Sequence, residues 1–370
     1  MEFKIGLVGL PNVGKSTIFN ALIQKSKAEV ANYPFCTIEP NIGLVSIPDE
    51  RLTYIAQKEK SLKITPAFIE FVDIAGLVKG ASEGAGLGNQ FLSHIRNVSA
   101  IAQVLRFFED ENVAHVEGDV NPLRDAEIVE IELILADLQT IERRKEKIAK
   151  QSKSDKKALK ENEILEKAKK ILEDLKPLRS FKSVFSDEEW QYLQKSLFLL
   201  TLKPMMYIAN ISEEDLTNLE KNPYYVALKD KAEKENIPII PLCGKLEAEL
   251  INLTQDEREQ FLKAYHLKES SLHQMIRVGF KLLKLINFFT TQSKETRAWT
   301  IKEGTTAKEA AGEIHSDMER GFICAEVISF NDYLKVESFQ KAKEAGLIRL
   351  EGKEYLVKDG DIIYFRFNVT

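Results

Sequence analysis

Short apolar runs alternate with helical stretches and glycine-rich loops in the first third of the chain. These runs predict strands at Phe3–Val8, Asn41–Ile47, Ala67–Val72 and Ala100–Phe108. After a long interval, two more runs predict strands at Pro204–Ala209 and Ile237–Leu242. Strands that alternate with helices are typical of a doubly wound, mainly parallel sheet, so the predicted fold class is α/β.

A charged segment without Gly or Pro, from Ala126 to Lys176, separates the two groups of strands. Apolar residues recur in it at alternating intervals of three and four, at Ile128, Ile131, Leu135 and Leu138 and at Leu165, Ala168, Leu172 and Leu175. This spacing predicts two helices that pack as an antiparallel coiled-coil hairpin. The cluster from Arg143 to Lys160, with nine basic and two acidic residues, then lies at the tip. Such a tip is either a phosphate-binding patch or a solvated helix end.

Short β-rich runs dominate from Lys284 onwards. They are RAWTI, FICAEVISF, YLVK and DIIYFRFNV, with the helical stretch AKEAAGEIHSDMER between the first two. This arrangement predicts a small α+β domain of the β-grasp type. We therefore predict an α/β domain made of residues 1–126 and 203–283, a helical insertion at 127–202 and a β-grasp domain at 284–368.

Composition and charge narrow the class of protein. A chain of 370 residues is longer than one hydrophobic core usually serves, and 44% hydrophobic and 29% charged residues are ordinary for a globular protein. The net charge of −5 argues against a protein that coats nucleic acid. The first residues, MEFKIGLVGL, predict a strand rather than a signal peptide. Cys36, Cys243 and Cys324 are too few for a disulfide framework or a zinc site, so we expect a reducing, cytoplasmic compartment. No apolar run is long enough to cross a bilayer, so we expect no membrane association.

The segment GLPNVGKST, Gly9 to Thr17, matches the phosphate-binding pattern G-x-x-x-x-G-K-[ST] between a predicted strand and a predicted helix. Its glycines let successive backbone N–H groups point at phosphate oxygens, and the helix N-terminus adds partial positive charge. Lys15 is predicted to contact the β- and γ-phosphates, and Ser16 to bind Mg²⁺. The α/β domain is therefore predicted to bind a nucleotide.

The segment FVDIAGL supplies Asp73 and Gly76 in the pattern D-x-x-G. In P-loop NTPases such an Asp holds Mg²⁺ through water, and the Gly amide approaches the γ-phosphate. Leu77 follows, where many GTPases have a glutamine that orients the attacking water. Leucine cannot bind water, so we expect slow hydrolysis that is assisted from elsewhere. His115, in a polar loop, is a candidate assistant, and an ordinary surface histidine is the alternative.

Two other residues are candidate cation ligands. Thr37, on a predicted loop between the P-loop and Asp73, is expected to give Mg²⁺ a second hydroxyl ligand; an ordinary loop threonine is the alternative. Asn12 can offer its amide oxygen to a K⁺ ion that bridges the phosphates, which is a hypothesis.

The stretch YIANISEEDL, residues 207–216, stands where P-loop GTPases carry the guanine-reading Asn-Lys-x-Asp. Ile211 replaces the Lys. Glu213 replaces the Asp, and its longer side chain cannot put the carboxylate in the same place without moving the backbone, so the contacts that guanine needs are lost. The pattern favours adenine, with Ile211 packing on the ring and Asn210 and nearby backbone at its polar edge. Backbone groups of Cys243, Gly244 and Lys245 are expected to close the pocket.

In combination, these segments resemble the YchF-type, Obg-related ATPases. The resemblance rests on GLPNVGKST, NYPFCTIEPN, DIAGLVKGAS with GAGLGNQFL, the Asn-Ile-Ser-Glu element and the RAWTI to DGDIIYFRFNV tail, and it covers essentially the whole chain. It implies a translation-factor-class G domain with an inserted coiled-coil arm and a C-terminal TGS domain of β-grasp form. It also implies a preference for ATP over GTP.

The resemblance assigns further roles by position. It implies phosphate contacts at Asn12, Val13, Gly14, Lys15, Ser16 and Thr17, Mg²⁺ ligands at Ser16 and Thr37, base contacts near Asn210 and Ile211, and hydrolysis assisted by His115. Association with ribosomes is also implied, with rRNA contacts by the basic arm and the TGS domain, and the expected state is a monomer. An Obg-class GTPase, or an RNA- or ribosome-binding scaffold stabilised by nucleotide, are the alternatives.

Overall fold

The computed structural model describes residues 3–29, 41–74, 87–110, 118–149, 156–265, 267–292, 294–336 and 338–368. The strands in these ranges are β1 (Lys4–Val8), β2 (Ile42–Ser46), β3 (Lys63–Thr65), β4 (Phe68–Asp73), β5 (Ala100–Arg106), β6 (Met205–Asn210), β7 (Ile239–Leu242), β8 (Leu285–Gln292), β9 (Glu295–Lys302), β10 (Phe322–Ser329), β11 (Arg349–Glu351) and β12 (Asp361–Phe367).

The helices of the same ranges lie mostly between these strands. They are α1 (Lys15–Glu29), α2 (Glu50–Lys58), α3 (Leu87–Arg96), α4 (Pro122–Ala149), α5 (Lys156–Glu173), α6 (Asp187–Lys195), α7 (Pro223–Glu235), α8 (Gly244–Leu250), α9 (Gln255–Ala264), α10 (Ser271–Leu282), α11 (Ala307–Ile314), α12 (Ser316–Arg320), α13 (Phe330–Tyr333) and α14 (Phe339–Glu344). None of them combines the length and apolar content needed to cross a membrane.

The first sheet has the strand order β2-β4-β1-β5-β6-β7. Its strands pair in parallel from β4 to β7, and β2 pairs antiparallel with β4. All six strands predicted for this domain are present, and the predicted α/β class is confirmed. Strand order reverses around β1, so the loop after β1 lies at a switch point, where open α/β sheets bind ligands.

The helices α4 and α5 form the predicted antiparallel pair, but the predicted apolar stripe on α4 is partly wrong. Residues at intervals of seven, Ile134, Ile141 and Ile148, belong to the core of the arm, whereas Ile131 is 38% exposed. The first turns of α4 pack instead on the main core. The residues that face α5 therefore begin at Ile134, nearly two turns after the predicted start at Ile128.

The stripe on α5 is confirmed except at its end. Leu165, Ala168 and Leu172 are fully buried, whereas Leu175 is 58% exposed. The helix ends at Glu173, and Leu175 has a φ of +55°, so its side chain has left the helical phase.

The second sheet has the order β11-β10-β12-β8-β9-β3. The predicted strands β9, β10 and β12 are present, but YLVK is not a strand and contributes only an isolated bridge between Thr306 and Leu356. The predicted helical stretch is divided at His315 into α11 and α12. The spacing also misses β3, which lies before β4 in the chain yet pairs with β9 of this sheet.

The helix α2 ties the two sheets together. Arg51 donates to Asp49 at its own helix start and to Asp359 before β12, at 2.8 and 2.7 Å. At the other end of α2, Glu59 accepts hydrogen bonds from the hydroxyl of Tyr333 and the backbone N–H of Phe339. The C-terminal part of the chain therefore contacts α2 at both of its ends.

A buried carboxylate joins the arm to the main sheet. Asp137 on α4 accepts hydrogen bonds from the backbone N–H groups of Leu200 and Thr201 and from the Thr201 hydroxyl, at 2.7 to 2.8 Å. Burial raises the pKa of Asp137 to about 6, in spite of these hydrogen bonds. The segment that returns to β6 is therefore anchored on α4.

We expect Asp137→Ala to lower the free energy of unfolding by roughly 2–3 kcal/mol, because the buried N–H groups of residues 200 and 201 lose their acceptor. Urea unfolding followed by circular dichroism measures this loss. Asp174→Ala is a matched control, because the Asp174 side chain is 62% exposed, and its effect is expected to stay within about 0.5 kcal/mol. Equal losses in the two variants would contradict the anchoring role.

Candidate nucleotide site

The P-loop connects the end of β1 to the start of α1. Asn12 and Gly14 have positive φ values of +62° and +96°, which turn the chain sharply before Lys15. Val13 is buried, and Ser16 and Thr17 are exposed in the first turn of α1. The N–H groups of a first helical turn have no partner within the helix, so this turn can bind an anion.

The side chain of Lys15 lies across its own loop. Its Nζ donates to the carbonyl oxygens of Gly9 and Leu10, at 3.1 and 2.8 Å. Burial lowers the pKa of Lys15 to about 8, and the nearby charge of Asp73 offsets part of this effect. The ammonium is thus held in a place where phosphate oxygens approaching the loop would meet it.

Ser16 and Asp73 lie together below this loop. The Ser16 hydroxyl donates to Oδ2 of Asp73 at 2.8 Å, which brings the start of α1 to the end of β4. The other carboxylate oxygen, Oδ1, is buried and has no hydrogen-bond partner among the described residues. A hydroxyl beside a carboxylate with an unsatisfied oxygen is a donor set that suits a hard cation such as Mg²⁺.

Asn210, at the end of β6, joins three loops. Its Nδ2 donates to the carbonyl of Val13 at 2.9 Å, and its Oδ1 accepts from the N–H of Gly244 at 3.1 Å. The residue is only 4% exposed. The amide expected at the polar edge of a base therefore has both ends occupied by backbone groups.

The neighbouring residues are also more enclosed than expected. Ile211 is 1% exposed and belongs to the main core, so in this conformation it offers no open face for a ring to pack on. Cys243 is 5% exposed and precedes α8, and burial raises the pKa of its thiol. Glu213 is exposed, and its carboxylate accepts a hydrogen bond from the Tyr265 hydroxyl. Base contacts by these residues remain predictions.

Four predicted residues lie outside the described ranges, namely Thr37, Gly76, Leu77 and His115. Their roles remain predictions.

Sequence reasoning missed an arginine and the two phenylalanines that follow it, where β5 ends beside β6. The buried Arg106 donates to the carbonyl of Phe108, and its guanidinium lies 4.7 Å from the centre of the half-buried Phe108 ring. The backbone N–H of Phe107 bonds to the carbonyl of Asn210, so this aromatic segment borders the site. A buried arginine at a strand end, followed by two aromatics, was the available signal.

Comparisons with known proteins identify the family of the chain. A model for 50S ribosome-binding GTPases matches residues 4–173, and the YchF-GTPase C-terminal model, described as a protein of unknown function (DUF933), matches residues 285–368. A protein of Bacillus subtilis (strain 168), the ribosome-binding ATPase YchF, is 50% identical over 370 residues, which is 100% of both chains. The chain belongs to the YchF family.

Other YchF proteins show the same similarity. The ribosome-binding ATPase YchF of Escherichia coli O157:H7 is also 50% identical, over 100% of both chains. The solved structure of the Schizosaccharomyces pombe YchF GTPase has a TM-score of 0.89 and 39% identity, and the match covers 99% of this chain and 98% of that one. The similarity to YchF proteins therefore extends over the whole chain.

We expect Gly14→Ala to weaken nucleotide binding by at least roughly tenfold, because a Cβ at this position would lie 2.2 Å from Nδ2 of Asn210 and would be strained at a φ of +96°. Titration with a fluorescent nucleotide measures the effect. Gly304→Ala is the matched control, since Gly304 has a φ of +88° and a Cβ there meets no atom within 4 Å. The role of Gly14 is refuted if both variants bind like wild type.

Nucleotide binding is expected to take up a proton above about pH 8, because phosphate raises the lowered pKa of Lys15 and stabilises its charged form. Affinity should therefore fall by up to roughly tenfold per pH unit once free Lys15 is neutral. Calorimetry in buffers of different ionisation enthalpy measures the uptake. Lys203→Met is the control, because burial also lowers the pKa of Lys203 to about 8, but its Nζ bonds to the carbonyls of Arg96 and Val98. Loss of the uptake in this control instead would contradict the assignment.

Proposed function

We propose that this protein is a slow, Mg²⁺-dependent ATPase that acts as a conformational switch in association with ribosomes. The observation that carries the proposal is the contact between Ser16 and Asp73 beneath the P-loop, with a buried carboxylate oxygen left available for a cation. Relatives that are 50% identical over the full chain are named ribosome-binding ATPases.

Ser16 and Asp73 would hold the magnesium ion, with Thr37 as a further ligand. The ion would neutralise charge on the β- and γ-phosphates. Lys15 would exchange its bonds to the carbonyls of Gly9 and Leu10 for phosphate oxygens, and the backbone N–H groups from Asn12 to Thr17 would cradle the phosphates.

Hydrolysis needs a group that polarises the attacking water. The side chain of Leu77 has no hydrogen-bonding atom, so we assign this task to His115. The backbone N–H of Gly76 is proposed to bind the γ-phosphate. A histidine near neutral pH can accept the proton that water loses. Because Leu77 cannot orient the attacking water, ATP hydrolysis assisted by His115 is expected to be slow.

Adenine is the proposed base because the guanine-reading residues are changed. Glu213 stands where an Asp reads guanine, and its carboxylate is bonded to Tyr265. The side-chain amide of Asn210 is already hydrogen-bonded to the backbone of Val13 and Gly244. Backbone groups of residues 211 and 243–245 are therefore proposed to bind the polar edge of the base.

Asn12 is proposed to bind K⁺. The residue lies in the P-loop, has a φ of +62° and is exposed.

Ribosome association is proposed from the relatives and from the shape of the arm. Several of its basic side chains pair within the hairpin, Arg144 with Glu161 and Lys145 with Glu166, and these pairs stiffen the arm. The remaining basic residues towards the tip and the C-terminal domain are proposed to contact rRNA. We further propose that the protein is a cytoplasmic monomer.

We expect ATP to bind at least tenfold more tightly than GTP. We also expect His115→Ala to slow ATP turnover roughly a hundredfold with little change in ATP affinity. Competition binding and single-turnover hydrolysis measure the two effects. His94→Ala is the control, because His94 lies on α3 and is exposed. Tenfold tighter binding of GTP would overturn the ATPase proposal in favour of an Obg-class GTPase. Unchanged turnover in His115→Ala would remove the proposed role of His115.

A further inference from the structure

A tyrosine outside the nucleotide motifs holds the acid of the base-reading element. The hydroxyl of Tyr265, the residue after α9, donates to Oε1 of Glu213. The Tyr265 ring is stacked on Phe261, with centroids 4.5 Å apart and planes inclined by 22°. Phe261 itself packs against the main core. The phenol is therefore fixed by the fold, whereas Glu213 is an exposed side chain on a loop.

This pair borders the site where the base is expected. Glu213 follows Asn210 by three residues, and Asn210 holds the P-loop and Gly244 together. The charge of Glu213 also acts on the thiol of Cys243, next to Gly244, where it contributes to a raised pKa after the larger effect of burial. The carboxylate is therefore close to the loop that closes the pocket.

The position of this carboxylate matters for the choice of base. A carboxylate facing the Watson–Crick edge accepts hydrogen bonds from N1–H and N2–H₂ of guanine, whereas the lone pair on adenine N1 repels it. Greater length alone does not keep an exposed glutamate away from the base, since its side chain can adopt several rotamers. A hydrogen bond to Tyr265 restricts this choice, because it ties Oε1 of Glu213 to a ring that is stacked on Phe261.

We propose that Tyr265 is a positioning residue for base selectivity, which holds Glu213 away from the base and so prevents the protein from reading guanine. This inference rests on the proposed ATP preference and deepens it, because Tyr265 follows α9 and belongs to none of the nucleotide-binding motifs. Adenine is then accepted because the acid that would repel its N1 is held elsewhere.

The test compares Tyr265→Phe, Glu213→Gln and the double variant with wild type, using ATP, GTP and ITP as ligands. Tyr265→Phe removes only the hydroxyl, so GTP affinity should rise on the order of tenfold relative to ATP, as expected for new hydrogen bonds to a charged acceptor. ITP lacks the N2 amine and should gain only about threefold, because one of the two hydrogen bonds is missing. Glu213→Gln in the Tyr265→Phe background should remove most of the gain, because an uncharged amide oxygen is a weaker acceptor than a carboxylate.

The graded response to GTP, ITP and ATP is one that a merely structural role of Tyr265 would not produce. Tyr364→Phe is the matched control, since Tyr364 is an exposed tyrosine on β12 that is 44% exposed. A GTP-to-ATP affinity ratio in Tyr265→Phe within twofold of the control overturns the inference, and so does a gain that persists without Glu213. Tighter binding of GTP by wild type would refute the proposed function, while the change of the ratio on removing the hydroxyl would still decide the inference.

Discussion

The side-chain amide of Asn210 is the contact on which the nucleotide site depends. It bonds at one end to the carbonyl of Val13 in the P-loop and at the other to the N–H of Gly244 at the start of α8. Because the amide is buried, losing either bond would leave a backbone group without a partner in a place that water does not reach. The ends of β1, β6 and β7 are therefore held in one arrangement, and Lys15, Ser16 and Asp73 lie around it.

The same chain connects this site to the C-terminal sheet. β2 and β4 form an antiparallel pair in the first sheet, and the segment between them contains α2 and β3. β3 pairs with β9 of the second sheet, and Asp73 ends β4 only a few residues later. Asp73, the proposed cation ligand, and β3 of the C-terminal sheet thus share a short stretch of backbone, which gives the proposed switch a physical route between the two domains.

Sequence patterns located the strands of the first sheet well, because a buried parallel strand needs a short and continuous apolar run. They also located the P-loop, since its glycines and Lys15 are needed at fixed spacing. They were less accurate where a residue or strand can pack against either of two neighbouring elements. On α4, Ile131 fits the helical repeat as well as Ile134 does, and only the packing of the first turns on the main core decides which one faces α5. β3 is three residues long, and nothing local shows that it leaves its own domain's sheet.

The candidate site shows the same division. The sequence by itself determined the fold class, the nucleotide-binding loop and the change in the guanine-reading element, because glycine-dependent turns and residue chemistry are local properties. Only the tertiary structure decided that the Asn210 amide is occupied by Val13 and Gly244 and that Glu213 is held by Tyr265. These contacts join residues that are 34 to 197 positions apart, and the approach of such distant residues follows from the packing of whole elements rather than from any local pattern.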